Sequence, residues 1–182
     1  KNTEHALHAA EEANRRQSHI LSRLYVQRRN YPSTLPGSSL ARVAIEYGRI
    51  NPLQNRHILE DNLVNADMTP RPVRILVAGS AASLDFLDAI EEAGLALVSS
   101  DLCLESRSFA FDQRENTEDE DVFLRLAKKY LSRTPCPRMF GEGARLKHLL
   151  DKARTDRVDG VLYHTAKFCD PFLYEYPLVQ RV

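Results

Sequence analysis

Apolar residues recur at helical spacing through residues 3–29. Leu7, Ala10, Ala13, Gln17, Ile20, Leu21 and Leu24 share one stripe, and Arg15, Arg16, Arg23, Arg28 and Arg29 fall mostly off it. The pattern predicts an amphipathic helix. Pro32, Pro36 and Gly37 break it, and Ser38 or Ser39 is the expected cap of a second helix carrying Leu40, Val43, Ala44 and Tyr47. Asn51 and Pro52 open a third, because asparagine accepts free amide hydrogens at a helix start and proline lacks a donor that is not needed there; Leu53, Ile58, Leu59 and Leu63 follow. Residues 1–69 therefore predict an all-helical region.

Beyond Pro70 and Pro72 the pattern changes to short β-branched runs alternating with helices. Val73–Ala78 reads as a buried strand, Gly79–Ser83 as a turn with a cap, and Leu84–Ala93 as a helix ended by Gly94. Leu95–Ser99 is a second strand. Val122, Phe123, Leu126, Ala127, Tyr130 and Leu131 form one helical face, Leu146, Leu149, Leu150 and Ala153 another, and Gly160–Tyr163 is a third strand after the turn Val158-Asp159. Strand and helix in alternation predict an α/β fold: a small parallel sheet of three to four strands flanked by helices, in a domain over residues 70–182.

Composition narrows this picture. With 182 residues and 43% apolar side chains the chain can bury a core. Its 25 basic and 25 acidic residues cancel, so there is no global field to hold a polyanion, and nucleic-acid binding is not expected. Three cysteines are too few for a secreted disulfide scaffold, no apolar run reaches the roughly 20 residues of a membrane helix, and residues 1–29 do not resemble a signal peptide. A cytoplasmic protein with no membrane partner is the expectation. Lys1 in place of methionine and the abrupt end at Val182 suggest a piece of a longer chain, with an exposed sheet edge where a further strand would sit.

In parallel α/β sheets ligands gather beyond the carboxyl ends of the strands. The corresponding loops are Gly79–Ser83, Ser100–Phe109 and His164–Pro171, and two of them carry Cys103 and Cys169. Cys136 lies between two helices and is expected at the opposite edge. There is no Walker pattern, no Gly-x-Gly-x-x-Gly after a strand, no His-Glu-x-x-His and no Cys-x-x-Cys. Ser80 lacks a nucleophile elbow. The cluster of Lys and Arg over residues 125–157 reads first as solvated helix faces, and second as a phosphate site near Arg133, Arg138, Arg145 or Lys147. A single cysteine in such a domain is ordinarily a small core residue. Cys169 differs: in Lys167-Phe168-Cys169-Asp170-Pro171 the proline should hold the thiol in a fixed loop, and a nearby lysine favours the thiolate that binds soft metals. His164 could assist it.

Asp159-Gly160-Val161-Leu162 followed by Lys167 to Leu178 (KFCDPFLYEYPL) resembles the signature of the 2-hydroxyacyl-CoA dehydratase and benzoyl-CoA reductase family. Upstream blocks agree in order and spacing: Gly79-Ser80, Glu91 to Gly94, Ser100 to Cys103 with Ser106-Arg107 and Phe109, Leu126 to Leu131, Pro135-Cys136-Pro137, and Arg145. Glu105 departs from the glycine common at that point in the family.

The resemblance implies the C-terminal part of an oxygen-sensitive subunit resembling the 2-hydroxyglutaryl-CoA dehydratase D-component. Such a subunit holds a [4Fe-4S] cluster by three cysteines and leaves one iron open. It further implies an acyl-CoA substrate, reduced by one electron to a ketyl radical, a homologous second subunit, and an ATP-dependent iron-sulfur activator. The activity would be that of a hydro-lyase or, alternatively, of a benzoyl-CoA reductase. Cys169 matches a family cluster ligand. Cys103 and Cys136 match recurring positions with no ligand role and could serve only in a rearranged site. The other family ligands come from an N-terminal domain, and residues 1–69 contain no cysteine. Two rivals stay open: a non-catalytic α/β domain without a cluster in this chain, and a redox or persulfide-carrying thiol protein.

Overall fold

Val73–Gly79 (β1) is the middle strand of a three-stranded sheet because it has no polar face to offer solvent: Ile75, Leu76, Val77 and Ala78 are all buried. The computed structural model describes residues 2–49, 71–109, 121–133, 136–139 and 142–182. In chain order the elements are helices α1 (Asn2–Asn30) and α2 (Gly37–Tyr47), then β1, α3 (Leu84–Glu92), β2 (Leu95–Asp101), α4 (Val122–Leu131), α5 (Glu142–Thr155), β3 (Gly160–His164) and α6 (Asp170–Val179). The strand order is β2-β1-β3, with both pairings parallel. Thus β3 pairs with β1 alone, and its Val161 is exposed. Among the described residues no helix is long and apolar enough to cross a membrane.

Alternate side chains of β1 serve opposite faces of the sheet. Ile75 and Val77 pack with Ala41 of α2, Leu87 and Ile90 of α3, and Leu97 and Leu102. Leu76 and Ala78 pack with Leu149 and Ala153 of α5 and Val179 of α6. The fold class predicted from the alternating pattern, an α/β sheet flanked by helices with a helical N-terminal region, is therefore what forms. A further cluster of Leu21, Leu35, Leu40, Val43, Ala44, Tyr47 and Phe109 seats α1 on α2.

The N-terminus of α2 is capped across the fold. Neither Ser38 nor Ser39 caps it: the residue before the helix is Pro36, which makes no side-chain cap. Instead Glu91, at the end of α3, accepts from the Gly37 amide at 2.7 Å, the Ser38 amide at 3.1 Å and the Ser38 hydroxyl at 2.8 Å. The carboxylate meets both free donors and the positive end of the helix dipole. Gly37 is required at this join, because a Cβ there would overlap Leu97.

One predicted feature differs. The face drawn through α4 is not a core face: Val122 is buried, but Phe123, Tyr130 and Leu131 are exposed. Polar contacts hold α4 to α1 instead, with Arg125 paired to Glu11 at 2.6 Å and Lys129 donating to Asn14 at 3.0 Å. Asp121 caps α4 by accepting from Phe123 and Leu124. The helix predicted from Asn51 lies outside the described residues.

Glu91→Ala is expected to destabilise the protein by about 2 kcal/mol, from two orphaned buried amides and a lost cap, and Glu91→Gln by about half as much. Urea denaturation followed by circular dichroism reads both.

Candidate functional site

The loops after the three strands meet at the carboxyl edge of the sheet, and two small residues join the first to the third. Gly79 has φ 129°, where a side chain is strained, and a Cβ there would overlap the His164 carbonyl. Next to it, Ser80 donates its amide to the His164 carbonyl at 3.0 Å, and its hydroxyl accepts from the Ala166 amide at 2.6 Å. Ser80 is thus a joint between loops. His164 stacks on Phe86, with centroids 4.6 Å apart.

The second loop is organised by Asp101, the last residue of β2, whose carboxylate is 1% exposed. Arg107 donates to both its oxygens, through Nε at 2.8 Å and Nη2 at 2.5 Å. Arg145 of α5 donates Nη1 to the same carboxylate at 3.0 Å, and His148 Nε2 lies 3.5 Å away. Arg145 also pairs with Glu175 of α6 at 2.6 Å, and the Tyr163 hydroxyl donates to Glu175. Both guanidiniums lie against Phe172 of α6, 5.3 Å and 5.2 Å from its centroid. Burial pushes the Asp101 carboxyl up, but hydrogen bonds from Arg107 and His148 and the charges of Arg107 and Arg145 outweigh it and hold the group well below the usual carboxylate range. Burial next to the Glu175 carboxylate pushes the Tyr163 hydroxyl up, so it stays a donor.

The thiols lie around this network. Cys103 Sγ donates to the Gly79 carbonyl at 3.9 Å and accepts from Arg107 Nη1 at 3.7 Å. Burial raises the Cys103 pKa and the neighbouring thiols Cys136 and Cys169 raise it further, while Arg107 and Arg145 oppose them. All three cysteines are free and partly buried. The expectation that Cys136 sits at the opposite edge is corrected. Both helices predicted between β2 and β3 form, and Cys136 precedes the second, which starts at the carboxyl edge, where its Arg145 bonds Asp101, and returns to the foot of β3. Pro171 likewise does not hold Cys169 in an irregular loop. It occupies the first turn of α6, where a missing amide hydrogen has no cost, and Cys169 is the residue that caps that helix. The Cys169 side chain makes no cap hydrogen bond, and its sulfur has no hydrogen-bond partner among the described residues.

Three of the four basic positions considered for phosphate are otherwise engaged, and Arg138 is exposed. Arg145 is buried in the Asp101 network, Lys147 pairs with Asp151, and Arg133 lies over the Tyr130 ring. Among the described residues no group of three or more His, Cys, Asp or Glu is arranged to hold a metal ion. A cavity of about 340 Å³ between α1, β2 and α5 is lined by residues that include His148, Ser99, Lys152 and Asp156. Its carboxylate Asp156 is already held by Ser99, Arg29 and Lys152.

The blocks that meet at this edge, Gly79-Ser80, Asp101 to Arg107, Arg145 and Cys169 to Glu175, are those on which the family resemblance rests, and the 2-hydroxyglutaryl-CoA dehydratase D-component family matches residues 1–182. The chain belongs to that family. A curated relative, the (R)-phenyllactyl-CoA dehydratase beta subunit of Clostridium sporogenes, is 31% identical over 117 residues, which cover 62% of this chain and 30% of the relative. Membership explains why the sequence blocks recur, and the structure adds a part for several of them: Asp101, Arg107, Arg145 and Glu175 form one charge network. This shared role was not visible in the sequence, which showed Arg145 only as a candidate phosphate contact and all four only as members of the shared blocks. Glu105, where the family commonly has glycine, is fully buried. Its Oε2 accepts from the Ser106 amide at 2.8 Å, and its Oε1 has no hydrogen-bond partner among the described residues. Burial pushes its pKa up to about 7, against the Ser106 hydrogen bonds and the Lys152 charge.

Two substitutions probe these carboxyls. Asp101→Asn leaves buried guanidiniums without their counter-ion and is expected to cost on the order of 3 kcal/mol at pH 7. Because the Asp101 pKa is depressed on folding, its contribution is present above the ordinary carboxylate pKa and disappears as the pH falls through the folded value, so wild type and variant should converge in acid urea titrations. Glu105 has the opposite sign. A carboxyl raised on folding binds more protons in the native state, so stability falls as pH rises from about 4.3 toward 7, and above that the penalty is complete. Glu105→Gln should stabilise the protein at pH 8 by on the order of 2–3 kcal/mol and flatten that slope. Equal stability of the two proteins at pH 8 would count against the assignment.

Proposed function

We propose that this chain is part of a 2-hydroxyacyl-CoA dehydratase subunit in which Cys169 supplies one thiolate ligand of a [4Fe-4S] cluster. The observation that carries this reading is the Cys169 sulfur, partly buried and without a hydrogen-bond partner among the described residues, on a helix fixed to the carboxyl edge by Asp101, Arg145 and Glu175. The donor set fits a cluster at this one position. Cys103 is engaged with Gly79 and Arg107, and the three thiols are not gathered as a metal-ligand group, so the remaining ligands belong to residues other than those described.

A cluster bound here would deliver one electron to the carbonyl of a CoA thioester and so make the hydroxyl of the acyl group a leaving group. The chain's own residues do the rest. Arg107 and Arg145 lend positive charge to the thiol region, and the Phe172 ring beneath them excludes water from that side. The buried carboxylate of Asp101 keeps both guanidiniums from moving toward an anionic ligand. Dehydration is favoured over aromatic-ring reduction because the curated relative is named as a dehydratase, and its name as a beta subunit supports a homologous second subunit here. An ATP-dependent iron-sulfur activator completes the proposed system as the source of the electron.

Iron and acid-labile sulfide in the anaerobically purified complete subunit, which supplies the other ligands, test the reading. Wild type should carry about four irons per cluster, and Cys169→Ser should lose most of them with its circular dichroism unchanged. Equal iron in both proteins rejects Cys169 as a ligand, and an iron-free wild type supports a non-catalytic α/β module.

A further inference from the structure

Phe168 combines two features that work against folding. Its backbone has φ 68°, in the left-handed region that a bulky side chain rarely enters, and its ring is 82% exposed. Strain in the chain and an apolar ring in water both favour the unfolded state. The conformation persists because the neighbours dictate it. Ala166 is tied to the Ser80 hydroxyl, the Cys169 amide donates to the Ala166 carbonyl at 3.0 Å, and the Phe172 amide donates to the Cys169 carbonyl at 3.1 Å. Phe168 is therefore presented from a rigid turn between β3 and α6, immediately before Cys169. Backbone strain that the surroundings over-determine is a feature of ligand contacts.

The charge beside the ring indicates the ligand. The Lys167 ammonium lies 5.0 Å from the Phe168 centroid, and Lys167 is itself exposed. The pair offers an apolar surface and a positive charge side by side, which complements a molecule with an apolar arm and anionic phosphates. We propose that Phe168 and Lys167 form a recognition surface for the acyl-CoA thioester, with the ring against its apolar arm and the ammonium toward its phosphates. This rests on the reading that Cys169 holds the group that reduces the thioester. It makes Phe168 a specificity residue, held in strain for contact with the ligand and contributing nothing to the fold.

The test uses the iron-loaded protein assembled with its partner subunit, and a 2-hydroxyacyl-CoA as the calorimetric probe. Phe168→Gly should raise the thermal midpoint of the iron-free chain, because glycine adopts the left-handed conformation freely, and leave iron content unchanged. It should also weaken acyl-CoA binding about tenfold, the scale of a lost apolar contact. Phe168→Leu should keep most of the affinity, and Lys167→Met should weaken binding severalfold and reduce its dependence on salt. Wild-type affinity in Phe168→Gly overturns the proposal. So does a lowered thermal midpoint, which would make the ring part of the packing, or dissociation of the subunits, which would make it an interface residue. An iron-free wild type removes the cluster reading and this one with it, whereas an iron-loaded wild type beside a Phe168→Gly variant of equal affinity removes only this one.

Discussion

The carboxyl edge of this protein depends on one desolvated carboxylate. Asp101 is buried at the end of β2, and two guanidiniums and a histidine converge on it from the following loop and from α5. Taking such a group out of water carries a penalty of several kcal/mol, and only close pairing with full use of its lone pairs offsets it. The net gain in stability is accordingly small. What the arrangement contributes is position, because Arg107 and Arg145 can satisfy Asp101 only when their loop and helix are in register. Through Phe172 and Glu175 the same condition extends to α6 and to Cys169 at its start.

The rest of the architecture fixes the same elements from other directions. Ser80 and Gly79 join the turn after β1 to the end of β3, so the segment leading to Cys169 is held on both sides. On the opposite face, Glu91 caps α2 and sets the N-terminal helices on the sheet. Arg28 is buried between these parts, over the Tyr25 ring and with one hydrogen bond to Gly37, and burial lowers its pKa to about 10 without removing its charge at neutral pH. Polar groups thus set the relative placement of elements that apolar burial holds together.

Much of this was legible along the chain, and the parts that were not share a cause. The first two strands read as short apolar runs because both of their faces are buried, and Ser83 was identifiable as a cap because its partner, Phe86, is three residues away. The cap of α2 was assigned to Ser38 or Ser39 on the same local logic. Its true partner, Glu91, is 54 residues from Gly37. The apolar face drawn through α4 failed for a similar reason: periodicity shows that a helix has a stripe, but whether the stripe meets a core or solvent depends on what packs beside it. Cys136 was placed at the wrong edge although both helices of the crossover were legible, because only the direction of β3 decides at which edge the second of them begins.

Local physics therefore determined the α/β class, the strands, the helix starts with near-neighbour caps, and the family blocks, because spacing, propensity and short-range hydrogen bonds are properties of adjacent residues. Tertiary structure alone decided that Asp101, Arg107, Arg145 and Glu175 share one buried network, and that Phe168 is strained and exposed. Those outcomes turn on desolvation and on geometry imposed by distant segments, and neither quantity exists until the chain has closed on itself.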